Sequence, residues 1–232
     1  MFECSLRRHD LVWLRETAAG RAAAAGSCCA SVPEAMTLLA AWTAAGRPLI
    51  ATRQTATLAP GQVQLGLALP PQLGKYRLAF ILPKSVIARI EPPPLLAEVK
   101  DALPPVWRAV AARLLAVWPI HAVAPRVFGS AAMSAHTGLN CLGPESDLDL
   151  LFEPRDRGAA RALLHALRTH AVDFREPRID GELRNPDGHA VAWRELVVAT
   201  GKVLAKHDRD VPCLMERADF EAAFDGATEA AA

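Results

Sequence analysis

Phe128-Gly129-Ser130, followed by Glu145-Ser146-Asp147-Leu148-Asp149-Leu150-Leu151-Phe152, is the stretch on which the reading of this chain turns. The apolar run from 147 to 152 reads as a strand. Strand side chains alternate between faces, so Asp147 and Asp149 point the same way with their Cα atoms about 6.5–7 Å apart. Leu148 and Leu150 point the other way. Two carboxylates on one face of an apolar strand repel each other and resist desolvation. A divalent cation relieves both. Mg²⁺ is hard, prefers oxygen, and is usually held by one or two carboxylates together with substrate phosphates.

Upstream, Arg126-Val127-Phe128 reads as a short strand that opens on Gly129-Ser130. Glycine lets the backbone approach a phosphate, and the N–H groups of a following helix, predicted over Ala131 to His136, face that anion. Ser130 adds a hydroxyl donor. Strand, Gly-Ser, helix and a second strand bearing Asp-x-Asp set phosphate and metal ligands on adjacent elements, as phosphoryl transfer requires. Taken singly, a Gly-Ser is most often a turn and an Asp-x-Asp most often a solvated edge. Their order and their apolar flanks favour the functional reading. An EF-hand is excluded, because the glycine and terminal glutamate of that loop are absent.

A third carboxylate comes from Arg178-Ile179-Asp180-Gly181-Glu182-Leu183, a strand candidate that precedes the turn Asn185-Pro186-Asp187-Gly188. Placed beside Asp147 and Asp149, Asp180 completes a two-metal site or acts as general base. Glu182 has the same facing parity and is its rival. A solvent-facing carboxylate is the plain alternative for either. Lys202 and Lys206 share a face, and Lys206 is the candidate for a further phosphate contact, against the simpler role of a strand-edge lysine.

These residues resemble the DNA polymerase β-like nucleotidyltransferase superfamily, marked by Gly-Ser and then Asp-x-Asp on the next strand. Within it, Arg8-His9-Asp10-Leu11-Val12-Trp13-Leu14, Arg126 to Ser130, and Asp147 to Leu151 look like the malonate decarboxylase holo-acyl carrier protein synthases, also called phosphoribosyl-dephospho-CoA transferases. Residues 131–146 separate Ser130 from Asp147, a longer gap than most of the superfamily has, and one that the narrower family shares. The resemblance implies Mg²⁺ on Asp147 and Asp149, pyrophosphate cradled by Gly129 and Ser130, and Asp180 or Glu182 as base. It further implies triphosphoribosyl-dephospho-CoA as donor and a serine of the malonate decarboxylase acyl carrier subunit as acceptor. Two alternatives stay open: another nucleotidyltransferase with the same metal site, or an inactive binding module of the same fold.

The bulk sequence sets the outer limits. With 232 residues, 51% hydrophobic and 22% charged, the chain is an ordinary globular protein. Its formal charge of +1 gives no general drive toward nucleic acid or membrane. Five cysteines without a C-x-x-C pair fit neither a disulfide framework nor a zinc site, and suit a reducing bacterial cytoplasm. The alanine-rich segment near the start is broken by Gly20, Arg21 and Gly26 and is no membrane span.

The expected fold class is α+β: a smaller N-terminal α+β domain over 1–91 and a nucleotidyltransferase domain over 92–232, with a mixed sheet and helices of the polymerase β type. The boundary falls at Glu91-Pro92-Pro93-Pro94, where neither strand nor helix interior can continue. The first domain reads as a strand near Asp10 to Leu14, a helix from Val32 to Ala45 begun by the capping box Ser31-x-x-Glu34, and strands at Pro48 to Arg53, Gln62 to Leu69 and Lys75 to Leu82. Arg53, Lys75 and Arg77 on these strands are candidates for docking the donor or an acidic carrier, against the favoured and simpler role of ordinary solvated strand charges. The second domain adds a helix over Pro105 to Val117 with Val106, Val110, Leu114 and Val117 inward, a helix over Asp156 to His170, strands at Val172 to Phe174 and His189 to Ala192, and a hairpin of Lys202 to Lys206 with Val211 to Met215.

Overall fold

The computed structural model describes residues 6–15, 27–28, 34–117, 123–170 and 176–226. The expected α+β class is what is found. Two compact units are built from interleaved segments: Met1–Pro93, His136–Leu142 and Asp208–Asp210 form one, and Pro94–Ala135, Gly143–His207 and Val211–Ala232 the other. No helix among the described residues is long and apolar enough to cross a membrane.

Among the described residues, the first unit is an antiparallel sheet with one α-helix. Its strands are β1 (Leu11–Leu14), β2 (Ser27–Cys28), β3 (Leu49–Ala51), β4 (Gln62–Ala68), β5 (Arg77–Pro83) and β6 (Ile87–Glu91), in the order β2-β5-β4-β3-β1-β6. Alternation explains the β4–β5 hairpin. Val63, Leu65 and Leu67 face Leu82, Phe80 and Leu78 across the ladder, and all six are buried. Helix α1 (Ala35–Ala44) buries Leu39 and Trp42, and the Trp42 indole donates to the Pro48 carbonyl at 2.8 Å. Gly46, at φ 67°, ends it.

The second unit opens with α2 (Leu96–Val99) and α3 (Pro105–Val117) and is built on a mixed four-stranded sheet, β10-β9-β8-β7. After β7 (Arg126–Val127) comes α4 (Gly129–Thr137), then β8 (Leu148–Phe152), α5 (Arg157–His170) and β9 (Ile179–Arg184). β8 and β9 run parallel, so a crossover must join them, and α5 is that crossover. Asp156 starts α5 by accepting from the Ala159 N–H at 2.8 Å. Ala160, Leu163, Ala166 and Leu167 form its buried stripe. The Asn185 side chain closes the turn to β10 (Ala190–Ala192), accepting from the His189 N–H at 3.0 Å and donating to the Phe220 carbonyl at 3.2 Å. Helix α6 (Trp193–Val198), the hairpin β11 (Lys202–Ala205) with β12 (Cys213–Glu216), and α7 (Arg217–Gly226) complete the unit.

Several expectations change. In α3 the inward face is Trp107, Val110, Ala111 and Leu114, while Val106 is 55% exposed. The two faces overlap at Val110 and Leu114, and burying an indole outweighs burying a valine. Strand β5 starts at Arg77, because Lys75 sits at φ 54° in the preceding turn. The helix from Gly-Ser begins at Gly129 itself. Strand β6 and helices α6 and α7 were not anticipated. Ser31 of the capping box and Val172 to Phe174 lie outside the described residues.

Helix α7 buries Phe220 and Phe224 edge to face, with ring centroids 5.9 Å apart. It is tied to α5 through Arg157, which bonds Glu221 at 3.3 Å and Asp225 at 2.8 Å, while Arg217 bonds Glu221 at 2.7 Å. Burial pushes the Glu221 carboxyl up, but the Arg217 and Arg157 contacts outweigh it and leave it below its ordinary 4.5. A depressed folded-state pKa contributes stability above the unfolded value and loses it as pH falls through the folded one. Glu221→Gln should therefore cost about 1 kcal/mol in urea unfolding at pH 7, with the gap to wild type closing below pH 4.5. A gap that does not narrow as the pH falls below 4.5 would mean that the charge of Glu221 does not matter.

Candidate active site

The site is set by one register. Leu148, Asp149, Leu150, Leu151 and Phe152 pair with Ile179, Asp180, Gly181, Glu182 and Leu183, so Asp149 and Asp180 stand opposite each other on the same face. Every β8 residue except Asp149 is buried and apolar, as in a strand covered on both faces. Asp149 is thus a carboxylate set into a hydrophobic strand, a costly placement for a side chain that only stabilises the fold.

Strand β7 pairs antiparallel with β8, Val127 against Leu150, and the Phe128 N–H donates to the Asp149 carbonyl at 3.1 Å. The chain therefore leaves the sheet level with Asp149 and enters α4 at Gly129. Gly129 has φ 66°, and a Cβ there would overlap the Asp149 carboxylate. The bare Cα of Gly129 is one wall around that carboxylate. The first N–H groups of a helix have no intrahelical acceptor and favour an anion. Half-buried Ser130 follows, and Ala131, Ala132 and Met133 anchor the helix in the core.

Gly181 solves a second packing problem. At φ 136°, it has the Leu150 main chain where a Cβ would go. Its N–H donates to Asp180 Oδ1 at 2.8 Å, fixing the carboxylate beside it.

A guanidinium lies among the three aspartates. Arg178 Nε donates to Asp147 Oδ1 at 2.8 Å, its Nη2 bonds Asp147 Oδ2, and the same Nη2 is 3.6 Å from Asp180 Oδ2. The Arg178 hydrogen bond holds the Asp147 carboxyl below its ordinary value, against the opposing effect of burial, and Arg194 adds to the depression. Arg178 is in turn raised, chiefly by its bond to Asp147 and further by the charges of Asp147, Asp180 and Asp149. Arg194 is itself held by the Ile179 carbonyl at 3.0 Å and lies over the Trp193 ring at 4.5 Å.

Glu182 and Lys206 are placed differently. Glu182 is 5% exposed, and its Oε1 accepts from Lys206 Nζ at 2.8 Å. Asp180 retains more access, with 34% of its side chain exposed. Lys206 lies on the bridge that joins Ala190 to the β11 end, and to reach a phosphate it must first release Glu182. Lys202 is exposed and 3.8 Å from Glu216. In the first unit, Lys75 and Arg77 are exposed and Arg53 is half-buried. His9-Asp10 forms a turn in which Asp10 accepts from the Arg7 N–H at 2.8 Å.

Thus Gly129, Asp147, Asp149 and Asp180 come together, and Glu182 and Lys206 pair with each other. Sequence reasoning missed Arg178 and Arg194. Arg178 shares facing parity with Asp180, which was the one available signal. Among the described residues, no group of three His, Cys, Asp or Glu side chains could hold a metal ion unaided.

Comparison with known proteins places this geometry in context. Residues 95–218 match the model of the phosphoribosyl-dephospho-CoA transferase MdcG C-terminal domain, and residues 7–93 match that of the MdcG N-terminal domain. The chain is 39% identical over 217 residues to a phosphoribosyl-dephospho-CoA transferase of Xanthomonas euvesicatoria pv. vesicatoria, covering 92% of this chain and 96% of that one. It is 41% identical over 202 residues to the enzyme of that name in Xanthomonas campestris pv. campestris strain 8004, covering 87% and 90%. It is 36% identical over 184 residues to that of Bradyrhizobium diazoefficiens, covering 79% and 80%. No solved structure matches.

The two glycines should respond differently to alanine. At Gly181 the obstacle is backbone in the sheet centre, so Gly181→Ala should cost about 3 kcal/mol or more. At Gly129 the nearest obstacle is a movable carboxylate, and Gly129→Ala should cost only about 1–2 kcal/mol. Thermal melting of both variants checks this, and a Gly181→Ala protein that melts like wild type would refute the β8–β9 packing.

Proposed function

Since this chain belongs to the phosphoribosyl-dephospho-CoA transferase family, and is therefore a transferase, we propose that it moves the phosphoribosyl-dephospho-CoA group from triphosphoribosyl-dephospho-CoA to a serine of the malonate decarboxylase acyl carrier subunit, releasing pyrophosphate. The observation that carries the proposal is the pairing of Asp149 with Asp180 beside the bare Cα of Gly129, with Asp147 on the same guanidinium. A phosphoryl-transfer site needs this combination of grouped carboxylates and an anion-accepting helix start.

The donor set suits Mg²⁺. It offers carboxylate oxygens, and a cationic guanidinium already sits against them. Asp147 and Asp149 are the proposed ligands. Fewer than a full protein cage is expected for Mg²⁺, which takes the rest of its shell from water and phosphate. When bound, the ion neutralises charge that develops on the transferred phosphate and the leaving pyrophosphate.

The protein's own groups then have distinct tasks. The Gly129 N–H and the Ser130 hydroxyl cradle the pyrophosphate end of the donor. The serine oxygen attacks the α-phosphorus, and the bond from that phosphorus to the pyrophosphate oxygen breaks. Asp180 takes the hydroxyl proton. Asp180 is preferred to Glu182 as base because it is the more exposed and because Lys206 already neutralises Glu182. Lys206 is a reserve contact for phosphate. Exposed Lys75 and Arg77 suit an acidic carrier protein, and we assign carrier docking to their unit. We assign the reaction to the cytoplasm.

Incubation of apo-carrier subunit, synthetic donor and Mg²⁺ with the purified protein should add one prosthetic group to the carrier, read by intact mass, and release one pyrophosphate. Asp149→Ala should keep the circular dichroism of wild type and lose about 10³-fold or more in rate, as removal of several kcal/mol of transition-state stabilisation requires. Near-normal turnover by folded Asp149→Ala would sink the metal site, and an unmodified carrier with wild-type protein would sink the acceptor assignment.

A further inference from the structure

Arg178 has no task in the chemistry above, yet it holds the most contested position in the site. Its guanidinium spans Asp147 through both oxygens and reaches toward Asp180, with Asp149 contributing to the field around it. Its side chain is 51% exposed, so it is no cork in the core. A two-pronged guanidinium covers the carboxylate edge that a metal ion would use. Two cations a few ångströms apart on one carboxylate repel strongly. The Arg178–Asp147 pair and a metal bound to Asp147 therefore exclude each other.

The exclusion is reversible, because an ion pair this open to solvent is weak. Once displaced, the guanidinium has two places to go. Asp180 Oδ2 is 3.6 Å from its Nη2 already. A polyphosphate in the site is the second, because guanidinium binds phosphate oxygens in the same forked way as carboxylate.

We propose that Arg178 is a built-in counter-cation, which occupies Asp147 in the empty protein, competes with divalent metal alone, and yields when metal arrives with a polyphosphate that gives the guanidinium a new anionic partner; this rests on Asp147 and Asp149 being the metal ligands. Metal and donor then bind with positive coupling. The bare protein does not hold a tightly bound ion against its own aspartates, and the site acquires full positive charge only when a polyanion is present to receive it.

The test is Mn²⁺ titration of the donor-free protein, with free Mn²⁺ followed by electron paramagnetic resonance and no turnover required. Arg178→Gln, whose fold is checked by circular dichroism, should bind Mn²⁺ about two- to fivefold more tightly than wild type, the size expected for removing a weak competing ion pair. Asp149→Ala should lose the site. If Arg178→Gln binds no more tightly than wild type while Asp149→Ala loses binding, the metal site stands and the counter-cation role is overturned. If Asp149→Ala binds Mn²⁺ as wild type does, the metal ligands themselves are misassigned, and both readings fall.

Discussion

The parallel pairing of Leu148–Phe152 with Ile179–Leu183 is the constraint on which the second unit depends. It places Asp149 opposite Asp180, carries Arg178 to the end of the strand where Asp147 lies, and requires α5 as a crossover. A slip of β8 by one residue would turn Asp149 to the side that Leu148 and Leu150 now occupy and part it from Asp180. The burial of those leucines makes the slip expensive. The buried leucines thus enforce the geometry of the carboxylates.

Charge is arranged around this pair in two shells. Nearest are three aspartates and one arginine, partly open to solvent. Behind them are buried Glu182 with Lys206, and Arg184 with Glu153 at 3.4 Å. Each buried charge has a partner of opposite sign, which keeps the cost of desolvation tolerable. The exposed group sets one arginine against three aspartates.

Much of this was legible in the residues, for definable reasons. The hairpin of β4 and β5 is sided, with one face buried, and so it leaves an alternating signature. LDLLF is a run that only a central strand tolerates, and its single aspartate stands out. Asp180 and Glu182 could not be separated, because parity alone does not report burial or the approach of Lys206 from a distant hairpin. Arg178 was invisible for a like reason: its partner Asp147 lies 31 positions away, and only the register brings the two together. The WRELVV sequence of α6 is short and rich in β-branched residues, so its local preference argues against the helix it forms. In α3, two overlapping apolar faces fitted the same period, and only packing chose Trp107 over Val106.

Gly129 and Gly181 carry a consequence for how such sites diversify. Neither position has room for a single carbon atom beyond the main chain, one because a carboxylate stands there and the other because the neighbouring strand does. Acidic residues can in principle be exchanged for other oxygen donors as a chemistry changes. A missing side chain has no substitute. Gly181, hemmed in by main chain, is therefore a place where drift is blocked on steric grounds alone, whereas a side chain at Gly129 must displace the Asp149 carboxylate, and a distant relative should be sought as readily by those two glycines as by its aspartates.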